Sequence, residues 1–265
     1  GSMPEVFSRD LDSAWDALQS EKKGEDLESW EAKRLRDAKL TSYWKSYVEL
    51  RSLLTEEEYE AARASTTNAH YTSPAVITGI YKALEQLGFK GGRMIETSAG
   101  VGHFIGLQPD MPHRSTWTAV ELDPTTGTIL KNLYPEAATH VTGYEKVKLP
   151  DNFFDVAISN VPFGDFSVND PRYNKYRFKI HDYFFAKSLD KIRPGGVIAF
   201  VTSKGTLDKQ NSVLRNYLSE HGGKIIGAIR LPRTAFKSNA GTEVVADIIL
   251  IQKLRDGEKV PFRQN

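Results

Sequence analysis

The chain has 265 residues, with 35 Lys and Arg against 34 Asp and Glu, a net charge of +1, and no cysteine. That length suits one large domain, or one domain with an extra segment. Disulfides, thiolate metal sites and cysteine nucleophiles are excluded, and with them the covalent chemistry that methylates carbon-5 of cytosine. No apolar run approaches membrane-spanning length and no signal peptide is visible, so a soluble cytoplasmic protein is expected.

Gly1, Ser2 and Met3 read as a cloning remnant, and the chain as an excised piece of a longer protein. Residues 4–66 read as a helical extension. They hold fifteen acids against ten bases, with Trp15, Trp30, Trp44, Tyr47 and Leu54 as apolar anchors. Gly24 separates two helices, and Thr55 followed by Glu56, Glu57 and Glu58 resembles a capping box. No catalytic pattern falls here, so packing or partner binding is the expected role. Residues 67–257 form the second predicted domain, in which apolar strands alternate with amphipathic helices, the pattern of a parallel α/β sheet. Ser73-Pro74 caps a helix to about Leu87. Strands follow at Arg93–Thr97 and Trp117–Glu121, a helix at Pro124–Leu133, and strands at Thr139–Thr142 and Phe154–Ser159. A helix His181–Ile192 stops at Arg193-Pro194-Gly195-Gly196. Strand Val197–Thr202 and helix Leu207–Ser219 lead to Lys224–Arg230 and Val244–Ile251, an expected antiparallel pair.

Three motifs carry chemistry. In Met94-Ile95-Glu96-Thr97-Ser98-Ala99-Gly100-Val101-Gly102-His103-Phe104 a strand enters a loop whose glycines admit a ligand close to the backbone. The acid at the strand end suits an ammonium better than a pyrophosphate, although a GxG is equally the mark of a tight turn. In Ala119-Val120-Glu121-Leu122-Asp123-Pro124 an acid closes the second strand some twenty residues later, where a carboxylate can accept both ribose hydroxyls. Asp123 is also a natural helix cap, so the two acids can divide the roles. Together these motifs favour an adenosine-type cofactor. The third, Ser159-Asn160-Val161-Pro162-Phe163-Gly164, follows a buried strand. The Asn160 amide oxygen and the Val161 carbonyl can accept from an adenine amino group and free its delocalised lone pair. Pro162 holds Val161 extended, and Phe163 offers a face for a base taken out of a duplex. An Asn-x-Pro turn after a strand is the plainer alternative.

The stretch Phe166–Lys179 interleaves Arg172, Lys175, Arg177 and Lys179 with Phe166, Tyr173, Tyr176 and Phe178. Cations neutralise phosphates and aromatics stack on bases, while a solvated loop is the alternative. The histidines show no metal-ligand spacing and are read as structural or surface residues, and no metal is expected.

In this order the motifs resemble the amino-group (N6-adenine) DNA methyltransferases of the gamma arrangement, over about residues 69–254. The likeness extends to methylase domains of restriction-modification systems and to methylase regions of methylase–helicase proteins of mobile elements. Tyr71, Thr72 and Pro74 match the family's Tyr-Thr-Pro, with Ser73 inserted. Glu96 through Phe104 match Asp-Pro-Ala-Cys-Gly-Ser-Gly-x-Phe, with Glu96 replacing Asp. The resemblance implies an α/β, Rossmann-like sheet with helices on both faces and S-adenosylmethionine as cofactor. Glu96, Thr97, Ser98, Ala99, Gly100 and Gly102 would hold its methionine part, with Tyr71, Thr72 and Asn160 nearby. Glu121 would take the ribose and Glu145 the adenine, with Leu122 as a further cofactor contact. Pro194-Gly195-Gly196 and Leu231-Pro232…Phe236 also follow the family. Val161 stands where the family carries its first proline, which keeps the carbonyl but loses rigidity. No long target-recognition segment follows Leu254. The implied activity is methyl transfer to adenine in DNA, in the cytoplasm of a bacterium or of a mobile element's host, with further domains such as a helicase as partners. RNA or protein glutamine as substrate, and a degenerate binding module without turnover, are the alternatives.

Overall fold

A computed structural model describes residues 9–60, 63, 72–208, 212–232, 245–255 and 257–258. The chain divides into two units, Gly1–Ala69 and His70–Asn265.

The first unit contains helices α1 (Arg9–Lys23), α2 (Ser29–Lys39) and α3 (Trp44–Leu53). Gly24, at φ +78°, ends α1 in a conformation that glycine adopts without steric cost. Thr55 and Glu58 exchange backbone-to-side-chain bonds of 2.9 and 3.3 Å, the expected capping box. Tyr47 and Tyr59 are buried at the centre, and both hydroxyls donate to Asp12 (3.1 and 2.7 Å), which also takes Arg63 at 2.9 Å. Trp15, Trp44 and Leu54 pack partly buried around them. Trp30 departs from the expectation: it is 54% exposed. On the first turn of α2 its ring lies on the outer face and meets the Arg34 guanidinium at 5.6 Å, so it is a surface aromatic rather than an anchor.

The second unit is a seven-stranded sheet with helices along it. Its strands are β1 (Arg93–Glu96), β2 (Thr116–Glu121), β3 (Ala138–Val141), β4 (Phe154–Asn160), β5 (Ile192–Ser203), β6 (Gly223–Arg230) and β7 (Ala246–Lys253), in the order β3-β2-β1-β4-β5-β7-β6. The pairs among β1 to β5 are parallel, and β7 runs antiparallel to both β5 and β6. Helices α4 (Pro74–Gln86), α6 (Pro124–Leu133), α7 (Ile180–Lys191) and α9 (Val213–Glu220) accompany it, with short turns α5 (His103–Gly106) and α8 (Gly205–Asp208).

Because successive strand residues point to opposite faces, Ile95, Ala157, Ile198 and Phe200 enter one core with α7 and α9. Met94, Val156, Ile158 and Val201 enter a second with α4. Both faces are covered, which is why the strands read as apolar runs rather than alternations. Full burial of one such side chain contributes ~1.5–3 kcal/mol.

Three expectations shift. β5 starts at Ile192 rather than Val197, because Arg193-Pro194-Gly195-Gly196 loops out as a bulge within the strand: β4 advances from Phe154 to Val156 while β5 advances from Ile192 to Val197. At Gly196 a Cβ would sit 2.9 Å from two backbone oxygens, so the bulge requires glycine. The helix expected over Leu207–Ser219 is instead two pieces, α8 and α9, with 209–211 outside the described residues. The final strand lies slightly later than expected, at Ala246–Lys253, and forms the antiparallel pair with β6. No described helix is long and apolar enough to cross a membrane.

Candidate active site at the carboxyl edge of the sheet

β2, β1 and β4 lie side by side, with Glu96 level with Ala119 on one side and Ile158 on the other. Their carboxyl ends therefore deliver Glu121, Glu96 and Asn160 to one edge, where ligands of open α/β sheets bind. The loop after β1 joins the three ends. Ala99 N–H donates to the Val120 carbonyl (2.8 Å) and Gly100 N–H to Glu121 Oε2 (2.7 Å). Ser98 N–H donates to Ser159 Oγ (3.2 Å), and Ser98 Oγ donates to the Asn160 carbonyl (2.7 Å). Gly100 and Gly102 hold positive φ, +55° and +83°. A Cβ on Gly102 would lie 2.5 Å from the Tyr134 ring, whereas at Gly100 it would meet nothing, so the backbone there stands open.

Glu96 is 2% exposed, and its Oε2 has no hydrogen-bond partner among the described residues. The Thr97 hydroxyl is in the same state. A buried, unpartnered carboxylate oxygen is costly unless a ligand donates to it. Burial, and then the Glu121 charge, push the Glu96 carboxyl well above the usual carboxylate range. Burial also raises Glu121, against the backbone N–H groups of Asp123 (2.8 Å) and Gly100 that favour its charged form. This donor and acceptor set fits an ammonium at Glu96 and a diol at Glu121.

The other expected positions gather less uniformly. Thr72 is buried and Tyr71 lies outside the described residues. Ser73 caps α4 through Val76 N–H (3.5 Å). Leu122, next to Glu121, is 72% exposed, an apolar side chain at the rim of the edge. Asp123 caps α6 by accepting from Thr126 N–H (2.7 Å), the capping half of the expected division between the two acids. Glu145 sits in a 3-10 turn (Tyr144–Lys146) with its carboxylate folded over Gly143, where a Cβ would come within 2.2 Å of Oε1. The buried Lys187 of α7 fastens that turn by donating to the carbonyls of Tyr144 (2.7 Å) and Glu145 (3.3 Å). It also donates to Asp170 at 3.2 Å.

Asn160 is the last residue of β4. Val161 is buried, and its N–H still reaches the Val201 carbonyl (3.0 Å), so the strand pairing continues into the motif. Pro162 and Phe163 are half-buried, Phe163 against the α4 side of the core. Beyond them the aromatics of the expected binding loop are largely turned inward. Tyr173 and Phe178 are buried and Tyr176 packs against the core; only Phe166 is well exposed. Tyr173 is held there by its hydroxyl, which donates to the buried Asp190 (2.7 Å). Arg172 pairs with Asp151 (2.8 Å) and Asp190 (2.7 Å), and Lys179 with Asp165. Lys175 lies over the Tyr176 ring at 4.9 Å. Arg177, exposed and left-handed at φ +52°, makes no ion pair among the described residues and borders a cavity of about 410 Å³ with Asn169, Asn174 and Tyr183. The Ser98–Ser159 latch, Lys187 and Tyr134 carried no signal in the sequence, because each acts across contacts between distant segments.

The strand order, the reversed β7 and the loop-bearing carboxyl edge together define the fold of class I S-adenosylmethionine-dependent methyltransferases. A structure of such a methyltransferase from Listeria monocytogenes aligns with 96% of this chain and 82% of its own, at a TM-score of 0.60 and 17% identity. The modification subunit of a type I restriction enzyme from Vibrio vulnificus YJ016 aligns with 89% of this chain and 55% of its own, at a TM-score of 0.57 and 14% identity. At these identities the likeness is one of fold. By sequence, the defense against restriction protein B of Escherichia phage P1 is 28% identical over 220 residues, which cover 81% of this chain and 10% of that protein. The chain thus spans about a tenth of that relative's length. No protein-family model matches the chain.

Proposed function

We propose that the His70–Asn265 unit is a methyltransferase that uses S-adenosylmethionine to methylate the exocyclic amino group of adenine in DNA. The observation that carries the reading is the shared edge. A buried carboxylate oxygen of Glu96, unpartnered among the described residues, opens beside the glycine loop, and Ser98 ties that loop to Asn160 at the head of Asn160-Val161-Pro162-Phe163. The bound cofactor supplies an electrophilic methyl group on a sulfonium.

The chain's residues do the rest. Glu96, Thr97 and the backbone of Ser98, Ala99, Gly100 and Gly102 hold the methionine end, and Glu121 accepts from the ribose hydroxyls. Leu122 lends its exposed side chain to the adenine face, while Glu145 and Thr72 border the same pocket; Tyr71, outside the described residues, is a further candidate contact. Asn160 Oδ1 and the Val161 carbonyl accept from the two hydrogens of the target amine. Held this way, the nitrogen lone pair would be freed to face the methyl group; the N–C bond would form as the C–S bond breaks, leaving the cofactor as a neutral thioether, and one amine proton would pass to solvent. Phe163 stacks on the flipped base. Catalysis comes from positioning and from hydrogen bonds preorganised for the reacting amine. Val161 in place of proline leaves that carbonyl available, since it is the Val161 N–H that the sheet engages.

DNA as substrate is supported by the names of the similar proteins, one a defence against restriction and one a restriction-enzyme modification subunit. Incubation with cofactor and DNA, RNA or protein side by side, followed by mass spectrometry of nucleosides and of glutamine, tests the substrate. N6-methyladenine in DNA is expected; methyl groups found only in RNA or protein would overturn the assignment.

A further inference from the structure

Phe166 stands apart from the other aromatics of its loop. Its ring is 56% exposed while Tyr173 and Phe178 are buried. Yet it is held in place. The ring lies across Gly164, where a Cβ would come within 2.4 Å of Phe166 Cε1. The Phe166 carbonyl accepts the Ile180 N–H at 2.8 Å, and the preceding Asp165 pairs with Lys179. Residues 165–166 and 179–180 thus form a closed neck that starts directly after Phe163 and presents one aromatic ring outward.

A base that reacts at its amino group must leave the stack, and the duplex then carries a gap at an unstacking cost. Apolar side chains inserted between base steps offset that cost. Phe163, half-buried against the sheet, belongs with the target base; Phe166 lies further out on the same loop. We infer that Phe166 is a wedge that stacks on the base pair beside the target and occupies the gap left in the duplex. The inference rests on the DNA reading above. The pairing of Asp165 with Lys179 suits it, because that carboxylate's charge is neutralised where a phosphate backbone would approach. Lys175 and Arg177, the two cations of the loop without a carboxylate partner among the described residues, are left to meet that backbone.

The test compares duplex DNA of mixed sequence with the same DNA heat-separated into single strands. N6-methyladenine is counted by mass spectrometry under single-turnover conditions, with folding checked by thermal melts. A wedge matters only where a stack must be opened. Phe166→Ala should therefore slow methylation of the duplex by about tenfold or more, while the single-strand rate changes by less than about twofold. Phe166→Trp should keep the duplex rate within about threefold, since a larger ring can still stack. Gly164→Ala, which forces the ring aside without removing it, should reproduce the duplex-selective loss. Equal losses on both forms, no loss on the duplex, or a wild-type protein active on single strands alone would overturn the wedge. Absence of methylated adenine in both forms with the wild-type protein would instead refute the DNA reading, and the wedge with it.

Discussion

The loop over residues 96–102 and the loop over residues 164–179 both read in sequence as binding segments, and the fold treats their polar groups in opposite ways. In the first, buried polar atoms of Glu96 and Thr97 point where no described residue meets them, and the backbone at Gly100 is open. In the second, Arg172 and Lys179 are ion-paired and Tyr173 and Phe178 are buried, so most of the apparent binding chemistry holds the protein together. The difference teaches that an alternation of cations and aromatics is compatible with both a binding surface and a folded seam. What separates them is whether acids such as Asp151 and Asp190 arrive from elsewhere in the fold to meet the cations.

The sharpest way to break the comparison is at Asn160. Asn160→Ala removes the side-chain acceptor and leaves the Val161 carbonyl, so single-turnover methylation should fall by at least about a hundredfold with an unchanged melting temperature. A variant as fast as wild type would reduce the motif to a turn. Val161→Pro stiffens the motif but removes the N–H that the Val201 carbonyl accepts, so the melting temperature should fall while the activity of the folded protein is maintained.

Next come the two acids. Glu96→Ala and Glu121→Ala should each weaken S-adenosylmethionine binding by about 1–3 kcal/mol in calorimetry, the range for charge-assisted hydrogen bonds. Glu96 adds a pH signature. Burial raises its carboxyl, so without ligand it holds a proton above the usual carboxylate range. A folded-state value above the unfolded one means that its stability contribution is fully present below the unfolded pKa. That contribution is lost as pH rises through the folded pKa. The melting temperature of the ligand-free protein should therefore decline over that upper range, and Glu96→Gln should flatten the decline. Binding of a cationic ammonium should release a proton, read as a dependence of calorimetric enthalpy on the buffer. No buffer dependence would mean that Glu96 does not receive the cation.

The four cations of the second loop sharpen the contrast. Replacing all of them should weaken DNA binding and flatten its salt dependence. Within the set, Lys175 and Arg177 together should account for about two units of slope in anisotropy titrations, near one per phosphate contact. Arg172→Ala should instead act on the melting temperature, since it strips a partner from the buried Asp190. If Arg172 carried the salt slope and Arg177 none, the division between seam and surface would be reversed. The smallest effect is expected from deleting residues 4–66: cofactor affinity should stay largely intact while solubility or partner binding changes. Loss of cofactor binding by a truncated but folded protein would contradict that.

Much of the fold was legible because it rests on local physics. The period of apolar residues, Ser73 and Asp123 before Pro74 and Pro124, and strand-end acids at Glu96 and Glu121 each declare themselves within a few residues. The bulge at Arg193–Gly196 was read as a helix stop followed by a later strand, because a bulge is defined by the partner strand and not by its own residues. The outward turn of Trp30 was hidden for a related reason: apolar character says what a side chain prefers, while the helix phase against a neighbouring helix says what it gets.

The sequence by itself determined the order of strands and helices, the motifs at the strand ends and the absence of cysteine chemistry, since these depend on neighbours in the chain. Only the tertiary structure decided that β2, β1 and β4 lie adjacent, so that Glu121, Glu96 and Asn160 meet at one edge and Ser98 can latch onto Ser159 and Asn160. It also decided that Arg172 is spent on Asp151 and Asp190 while Phe166 is left outside. Charge pairing and burial are settled by distances in space, and residues 61 or 62 positions apart in the chain become hydrogen-bond partners only when the sheet closes their separation.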